Sequence, residues 1–204
     1  MKNRYIKFSK PLLGKEEITA VKKVISSGWL TTGFKTKEFE DKFKKYKKSK
    51  YALALNSCTA ALHLSLELLN LKKSDEVITS ALTFSSTINS IIISGAKPVL
   101  VDVNFETQNI DPSQIEKKIN KNTKAILLVH FAGRPCEMKE IMRIVRKYKL
   151  HLIEDCAHAI ESKYQNKHLG TFGTFGCFSF YATKTLTTGE GGLVLSKNKK
   201  IKNI

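Results

Sequence analysis

Tyr51-Ala52-Leu53-Ala54-Leu55-Asn56-Ser57-Cys58-Thr59-Ala60-Ala61-Leu62-His63 is the stretch on which the fold turns. Its first five residues suit a strand, the next four are small or hydroxylated, and from Ala60 to Leu69 the apolar residues recur at helical spacing. Strand, tight turn and helix follow without a linker, and the alternation continues downstream. Glu76 to Thr79, Pro98 to Val103, Ala125 to His130 and Leu150 to Glu154 are short runs of Val, Ile and Leu without polar alternation, the pattern of strands buried on both faces. Between them lie helical patterns at Thr87 to Ser94, ending at Gly95, at Met138 to Lys149, and one opened by Asp111-Pro112, an N-cap followed by a first-turn proline. Upstream, Glu16 to Ser26 puts Ile18, Val21, Val24 and Ile25 on one helical face closed by Gly28, and a second helix covers about Lys35 to Lys48. Cys177 to Tyr181 and Leu193 to Ser196 read as two further strands joined by a glycine-bearing turn. The prediction is an α/β chain: a mostly parallel sheet with helices on its faces, its core at residues 51–196 behind a helical segment at 1–50. Lys197 to Ile204 begin a surface-helix pattern with no cap or return strand, and read as a chain cut short.

Composition narrows the functional classes. A chain of 204 residues, 42% apolar and 26% charged, can bury a core, and 11 glycines with 4 prolines exclude collagen and low-complexity sequence. Its apolar stretches, such as Ala125 to Val129, fall far short of the roughly 18 residues of a membrane span. The charged N-terminus, Met1 to Lys10, lacks the apolar core of a secretory signal, so a cytoplasmic address is expected. The net charge of +17 raises the possibility of a nucleic-acid partner. Only Arg4, Arg134, Arg143 and Arg146 among the 35 basic residues are arginine, the residue that nucleic-acid readers favour, so a solvated basic surface is the expectation. Cys58, Cys136, Cys156 and Cys177 form no CxxC pair and read as buried free thiols, and no metal site is expected.

The familiar motifs GxGxxG, GxxxxGK, GxSxG and HExxH are absent, since Gly170, Gly173 and Gly176 are spaced by threes. Polar residues at strand ends remain, where open α/β sheets bind ligands. Asn56-Ser57-Cys58-Thr59 opens a helix whose free amides favour a phosphate, though alone it is equally an ordinary N-cap. Glu154-Asp155-Cys156-Ala157-His158 puts a carboxylate and an imidazole at the sheet's ligand edge, where a charge needs a partner. Lys184 is the only lysine between His168 and Ser196, in a small, hydroxyl-rich, glycine-flanked turn. Desolvation there would free its amine for a Schiff base with an aldehyde, although a structural lysine is the alternative. Together the three suggest pyridoxal 5'-phosphate (PLP), which needs an anion cradle, a carboxylate for its ring nitrogen and a lysine for its aldehyde.

Four stretches carry a resemblance to a known family: Ser27-Gly28-Trp29-Leu30-Thr31-Thr32-Gly33, Asn56 to His63, Ile153 to Ala159, and Phe178-Ser179-Phe180-Tyr181-Ala182-Thr183-Lys184. They resemble the DegT/DnrJ/EryC1/StrS sugar aminotransferases, over nearly the whole chain. Val129-His130-Phe131-Ala132-Gly133 and Thr187 to Gly192 are similar to members that act on keto nucleotide sugars for surface polysaccharide or lipid A modification.

The resemblance implies a three-layer PLP-transferase large domain, a homodimer, and a small C-terminal domain beyond these residues. Lys184 would bind the cofactor's aldehyde and later carry the proton, while Asp155 would pair with the ring nitrogen. His158 would lie near the phenolic oxygen and Phe84 on the ring face. Ser57, Cys58, Thr59 and Ser179 would cradle the phosphate, and Trp29, Thr31, Thr32 and Gly33 would shape the sugar entrance. The implied partners are an amino-acid donor, glutamate, and a keto sugar on a nucleotide diphosphate, with neither nucleic acid nor membrane. A related subgroup that dehydrates sugars has histidine at the lysine position, and Lys184 opposes that chemistry. Two alternatives stay open at this point: a non-catalytic remnant of the fold that dimerises or binds nucleotide sugar, and a basic nucleic-acid-binding domain with steeply salt-dependent affinity.

Overall fold

The structure, a computed structural model, describes residues 5–198 and 201. Helices α1 (Lys15–Ser26) and α2 (Phe34–Lys47) lead into β1 (Tyr51–Leu55), α3 (Cys58–Glu67), β2 (Glu76–Ser80), α4 (Ser85–Ile93) and β3 (Lys97–Val101). Then come α5 (Pro112–Lys118), β4 (Thr123–Val129), α6 (Met138–Lys147), β5 (His151–Asp155), β6 (Lys163–Tyr164), β7 (Lys167–His168), β8 (Phe175–Ser179) and β9 (Gly192–Ser196). The helix read from Lys197 onward lies largely outside the described residues.

Seven strands form one sheet in the order β1-β9-β8-β5-β4-β2-β3. β3, β2, β4, β5 and β8 pair in parallel, and β9 runs antiparallel to both β8 and β1, so it alone is reversed. Period-two alternation divides the core. Ala125 and Leu127 of β4, Ile153 of β5 and Val194 of β9 pack with Ala61, Leu62 and Leu66 of α3 and Ile91 of α4. Ile126, Leu128, Leu152, Leu193 and Leu195 face Phe43 of α2, Ile115 of α5 and Ile141 and Ile144 of α6. The result is a three-layer α/β/α sandwich. α1 contributes no buried residue, and its Ile18, Val21 and Ile25 are exposed.

Two local expectations change. β3 is an edge strand, not one buried on both faces, and its Leu100 is 47% exposed. Pro98, with no N–H to donate, fits that edge. The glycine-bearing connection between β8 and β9 spans residues 180–191, a loop that carries Lys184 over the sheet end. The hairpin β6–β7 has no counterpart in the sequence reading; it turns on Gln165 and Asn166, both at positive φ (46° and 64°), as a two-residue hairpin turn of that hand requires.

Two buried charges hold the layers together. Lys47, 1% exposed, donates to the Ile160 carbonyl at 2.7 Å and lies 4.5 Å from the centroid of the Phe178 ring, and burial pulls its ammonium down to about 8. Glu154, fully buried in β5, accepts from the Gly170 N–H on Oε2 and from the Phe172 and Gly173 N–H groups on Oε1, each at 2.8 Å. Its fourth partner is His130 Nε2 at 3.2 Å. His130 Nδ1 accepts the Cys136 N–H, so the ring proton resides on Nε2 and points at Glu154. Burial raises the Glu154 carboxyl, but the hydrogen bond from His130 and the backbone donors outweigh it, leaving a net lowering from 4.5.

That sign sets a prediction. A lowered folded value means that the carboxylate's stabilisation is present above pH 4.5 and is lost as pH falls through the folded value. Glu154→Gln, which turns an NH2 toward one of these donors, is expected to cost about 2–4 kcal/mol at pH 7 in urea unfolding. The deficit should shrink on acidification; a pH-independent difference would contradict the assignment.

Candidate active site

The C-terminal ends of the parallel strands open onto a cavity of ≈ 540 Å³. Ser57, Cys58, Thr59, Phe84, Asp155, His158, Ser179 and Lys184, the residues read from sequence as cofactor contacts, all line it. They come from the β1–α3 turn, the start of α4, the end of β5 with the turn after it, the end of β8 and the loop 180–191. Trp29, Thr31, Thr32 and Gly33 do not line it. They form a local turn in which the exposed Trp29 ring donates from Nε1 to the Thr32 carbonyl at 3.2 Å and covers Gly33. A second cavity, of ≈ 380 Å³, is bounded by Asp75, Thr123 and His151 at the opposite edge of the sheet and includes none of the predicted residues.

The β1–α3 turn is shaped for an anion. Ser57 is the N-cap, its Oγ accepting the Ala60 N–H at 3.1 Å, so the Cys58 and Thr59 N–H groups at the cavity wall have no partner within the helix. Gly192 of β9 lies against this turn, and a Cβ there would overlap the Ser57 carbonyl and the Cys58 nitrogen. Glycine is what lets the strand approach the turn so closely. Gly192 pairs in register with Ser179 and with Leu55, which brings the Ser179 hydroxyl to the same wall.

Asp155 supplies the charge. It is 4% exposed; Oδ1 accepts the Ala157 N–H at 3.0 Å and Oδ2 accepts the Thr87 hydroxyl at 3.1 Å. Burial raises its carboxyl above 3.8, outweighing those two bonds. A buried carboxylate left short of compensation is suited to a cation in the cavity. His158 stands exposed at the rim, held below 6.5 by desolvation and then by the charge of Lys184, with Asp155 opposing. Lys184 is half-buried, its backbone N–H tied to the Tyr181 carbonyl at 2.9 Å. Phe84 is the N-cap of α4 in extended conformation, and its ring is 76% exposed.

The sequence reading missed Thr87 and the role of Glu154. Glu154 and Asp155 sit on opposite faces of β5, and only Asp155 lines the cavity. His130, Glu154 and Cys156 bring ligand-type atoms within 4.8 Å of one another, but both His130 nitrogens and the four acceptor positions of Glu154 are already used, so the trio is a hydrogen-bonded brace. The spacing of Thr83 and Thr87, one helical turn apart ahead of a buried face, was the available signal for Thr87.

A family model described as the DegT/DnrJ/EryC1/StrS aminotransferase family matches residues 11–204. The chain is 53% identical over 192 residues to an uncharacterized protein of Methanocaldococcus jannaschii, covering 94% of this chain and 50% of that protein. It is 44% identical over 200 residues to the Bacillus subtilis spore coat polysaccharide biosynthesis protein SpsC, covering 98% and 51%. The PLP form of Spr1654 from Streptococcus pneumoniae, described as a candidate sugar aminotransferase, superposes with a TM-score of 0.91 at 36% identity, covering 95% of this chain and 53% of that one. The chain thus spans about half the length of the curated relatives it matches.

The Asp155 environment predicts a stability signature in the cofactor-free chain. Its folded value is raised, so stability falls as pH climbs from 3.8 through that value and stays lower above it. Asp155→Asn removes this cost and should raise the thermal midpoint by about 2–5 °C at pH 7, with the gain vanishing near pH 4. Scanning calorimetry across pH tests it, and a variant less stable at neutral pH would refute it.

Proposed function

The chain belongs to the DegT/DnrJ/EryC1/StrS aminotransferase family, and from that premise we propose that it forms the cofactor-binding part of a PLP-dependent sugar aminotransferase. The reaction would move an amino group from an amino acid, glutamate, to a keto sugar carried on a nucleotide diphosphate, for surface polysaccharide or lipid A sugars. The observation that carries this reading is the convergence of Lys184, Asp155 and the Ser57–Thr59 turn on one cavity. The named role of SpsC in polysaccharide biosynthesis and the PLP form of Spr1654 support the substrate class and the cofactor.

The residues present fit the group. The Cys58 and Thr59 amides, with the Ser57 and Ser179 hydroxyls, would hold its phosphate, at a turn that Gly192 leaves room for. When bound, PLP supplies an aldehyde and a protonatable ring that takes up the electron pair released at the amine-bearing carbon. Asp155, buried and under-compensated, would keep a proton on the ring nitrogen. Phe84 would lie on the ring face, and His158 would sit beside the phenolic oxygen. Lys184 Nζ would bind the aldehyde carbon and, once released by the incoming amine, act as the base and acid that moves a proton at the substrate carbon.

Trp29, Thr31, Thr32 and Gly33 stay proposed for the sugar entrance on the strength of their motif, since they stand outside the cavity of a single chain. A second copy of the chain is the proposed partner. The exposed Ile18, Val21 and Ile25 of α1, with Trp29, Leu30 and Phe34 close behind, make an apolar surface of the kind that partners cover. No helix among the described residues is long and apolar enough to cross a membrane.

Borohydride reduction of the PLP-treated chain, followed by peptide mass spectrometry, tests the reading. It should fix one phosphopyridoxyl group on Lys184, and Lys184→Ala should abolish it. Scattered labelling over the many lysines, or none on a chain that circular dichroism shows to be folded, would overturn the assignment.

A further inference from the structure

Thr87, the third residue of α4, is fully buried, and its hydroxyl donates to Asp155 Oδ2 at 3.1 Å. Behind it, the Thr83 hydroxyl donates to Thr87 Oγ1 at 2.8 Å. Each hydroxyl has a single proton to give. With Thr83 donating to the Thr87 oxygen, the Thr87 proton is committed to the carboxylate, and the chain of donors polarises it toward a stronger bond. The backbone N–H of Thr87 is satisfied separately by the Phe84 carbonyl at 3.0 Å, so the hydroxyl is not needed to start the helix. Asp155 has one other donor, the Ala157 N–H on Oδ1. The two donors grip different oxygens, which together fix the plane of the carboxylate.

We propose that Thr87, backed by Thr83, is a positioning residue that keeps the Asp155 carboxylate charged and fixed in orientation as counter-ion to the cofactor's ring nitrogen. The inference rests on the PLP reading above and extends it to two residues of α4 and its approach. Thr83 lines the cavity, whereas Thr87 does not, so Thr87 acts only through Asp155.

The test compares two ligands that differ at one atom: PLP and its 1-deaza analogue, in which carbon replaces the ring nitrogen. Both are titrated by absorbance into the full chain and its variants, with folding checked by circular dichroism. Thr87→Val, which keeps the side-chain shape, should weaken PLP binding about tenfold, the effect of one hydrogen bond to a charged group, and leave the analogue unchanged. Thr87→Ser should restore the wild-type preference for PLP. Thr83→Val should weaken PLP alone by roughly threefold, and it carries the test if Thr87→Val does not fold. Equal losses for both ligands would mean that Thr87 merely packs, and unchanged PLP affinity would mean that the hydroxyl is idle; either overturns the inference. A folded wild type that binds neither ligand would instead overturn the cofactor reading on which it rests.

Discussion

The buried carboxylate of Glu154 is the constraint on which the ligand edge of this sheet depends. A charge removed from water costs several kcal/mol unless every lone pair is met. Here the backbone of the 170–173 loop and the neutral His130 ring meet them, so the start of β8 and the end of β4 must come to Glu154. His130 in turn holds the Cys136 amide and with it the segment leading into α6. One side chain thereby ties together β5, the end of β4 and the approach to β8. Its neighbour, Asp155, faces the other layer and is left short of donors. The pleat makes one carboxylate a structural anchor and the next a buried charge with only two donors.

Much of the fold was legible because its signals are local. The turn Asn56 to Thr59, the Asp111-Pro112 cap and the run Ala125 to His130 each announce their element within a few residues, and the Asp111 side chain does cap its helix, accepting the Ser113 N–H at 2.9 Å. Less legible were features set by neighbours. β3 looks like a central strand by composition, and only Pro98 hinted that one side lacks a partner. The hairpin at Gln165-Asn166 was hidden because the residue most expected at such positive φ, glycine, is absent. The length of the 180–191 connection follows from its path over the sheet end, which no local pattern records.

The candidate site divides in the same way. Lys184 stood out because lysine is otherwise dense; on α2, Lys35 and Lys42 both reach Glu38 and Lys44 reaches Asp41 on solvated surface, whereas Lys47 is buried. Asp155 and Ser57 to Thr59 were found as strand-end residues. Thr87 and the anchoring role of Glu154 were not, because each acquires its meaning from a partner far along the chain, 68 residues away for Thr87 and 24 for His130. The placement of Trp29 to Gly33 outside the cavity belongs here too: the motif is local, but what it faces is not.

The reversed strand carries a consequence for the order of events during synthesis. Among the described residues β1 finds its only sheet partner in β9, with Tyr51 opposite Ser196 and Leu55 opposite Gly192. The turn that would receive the phosphate therefore leaves the ribosome well before β9, and it can be braced only after the strands and helices between them have followed. Until then β1 is an unpaired apolar strand, a non-local contact of the slowest kind to form and a site at which a nascent chain is open to chaperones or to mispairing.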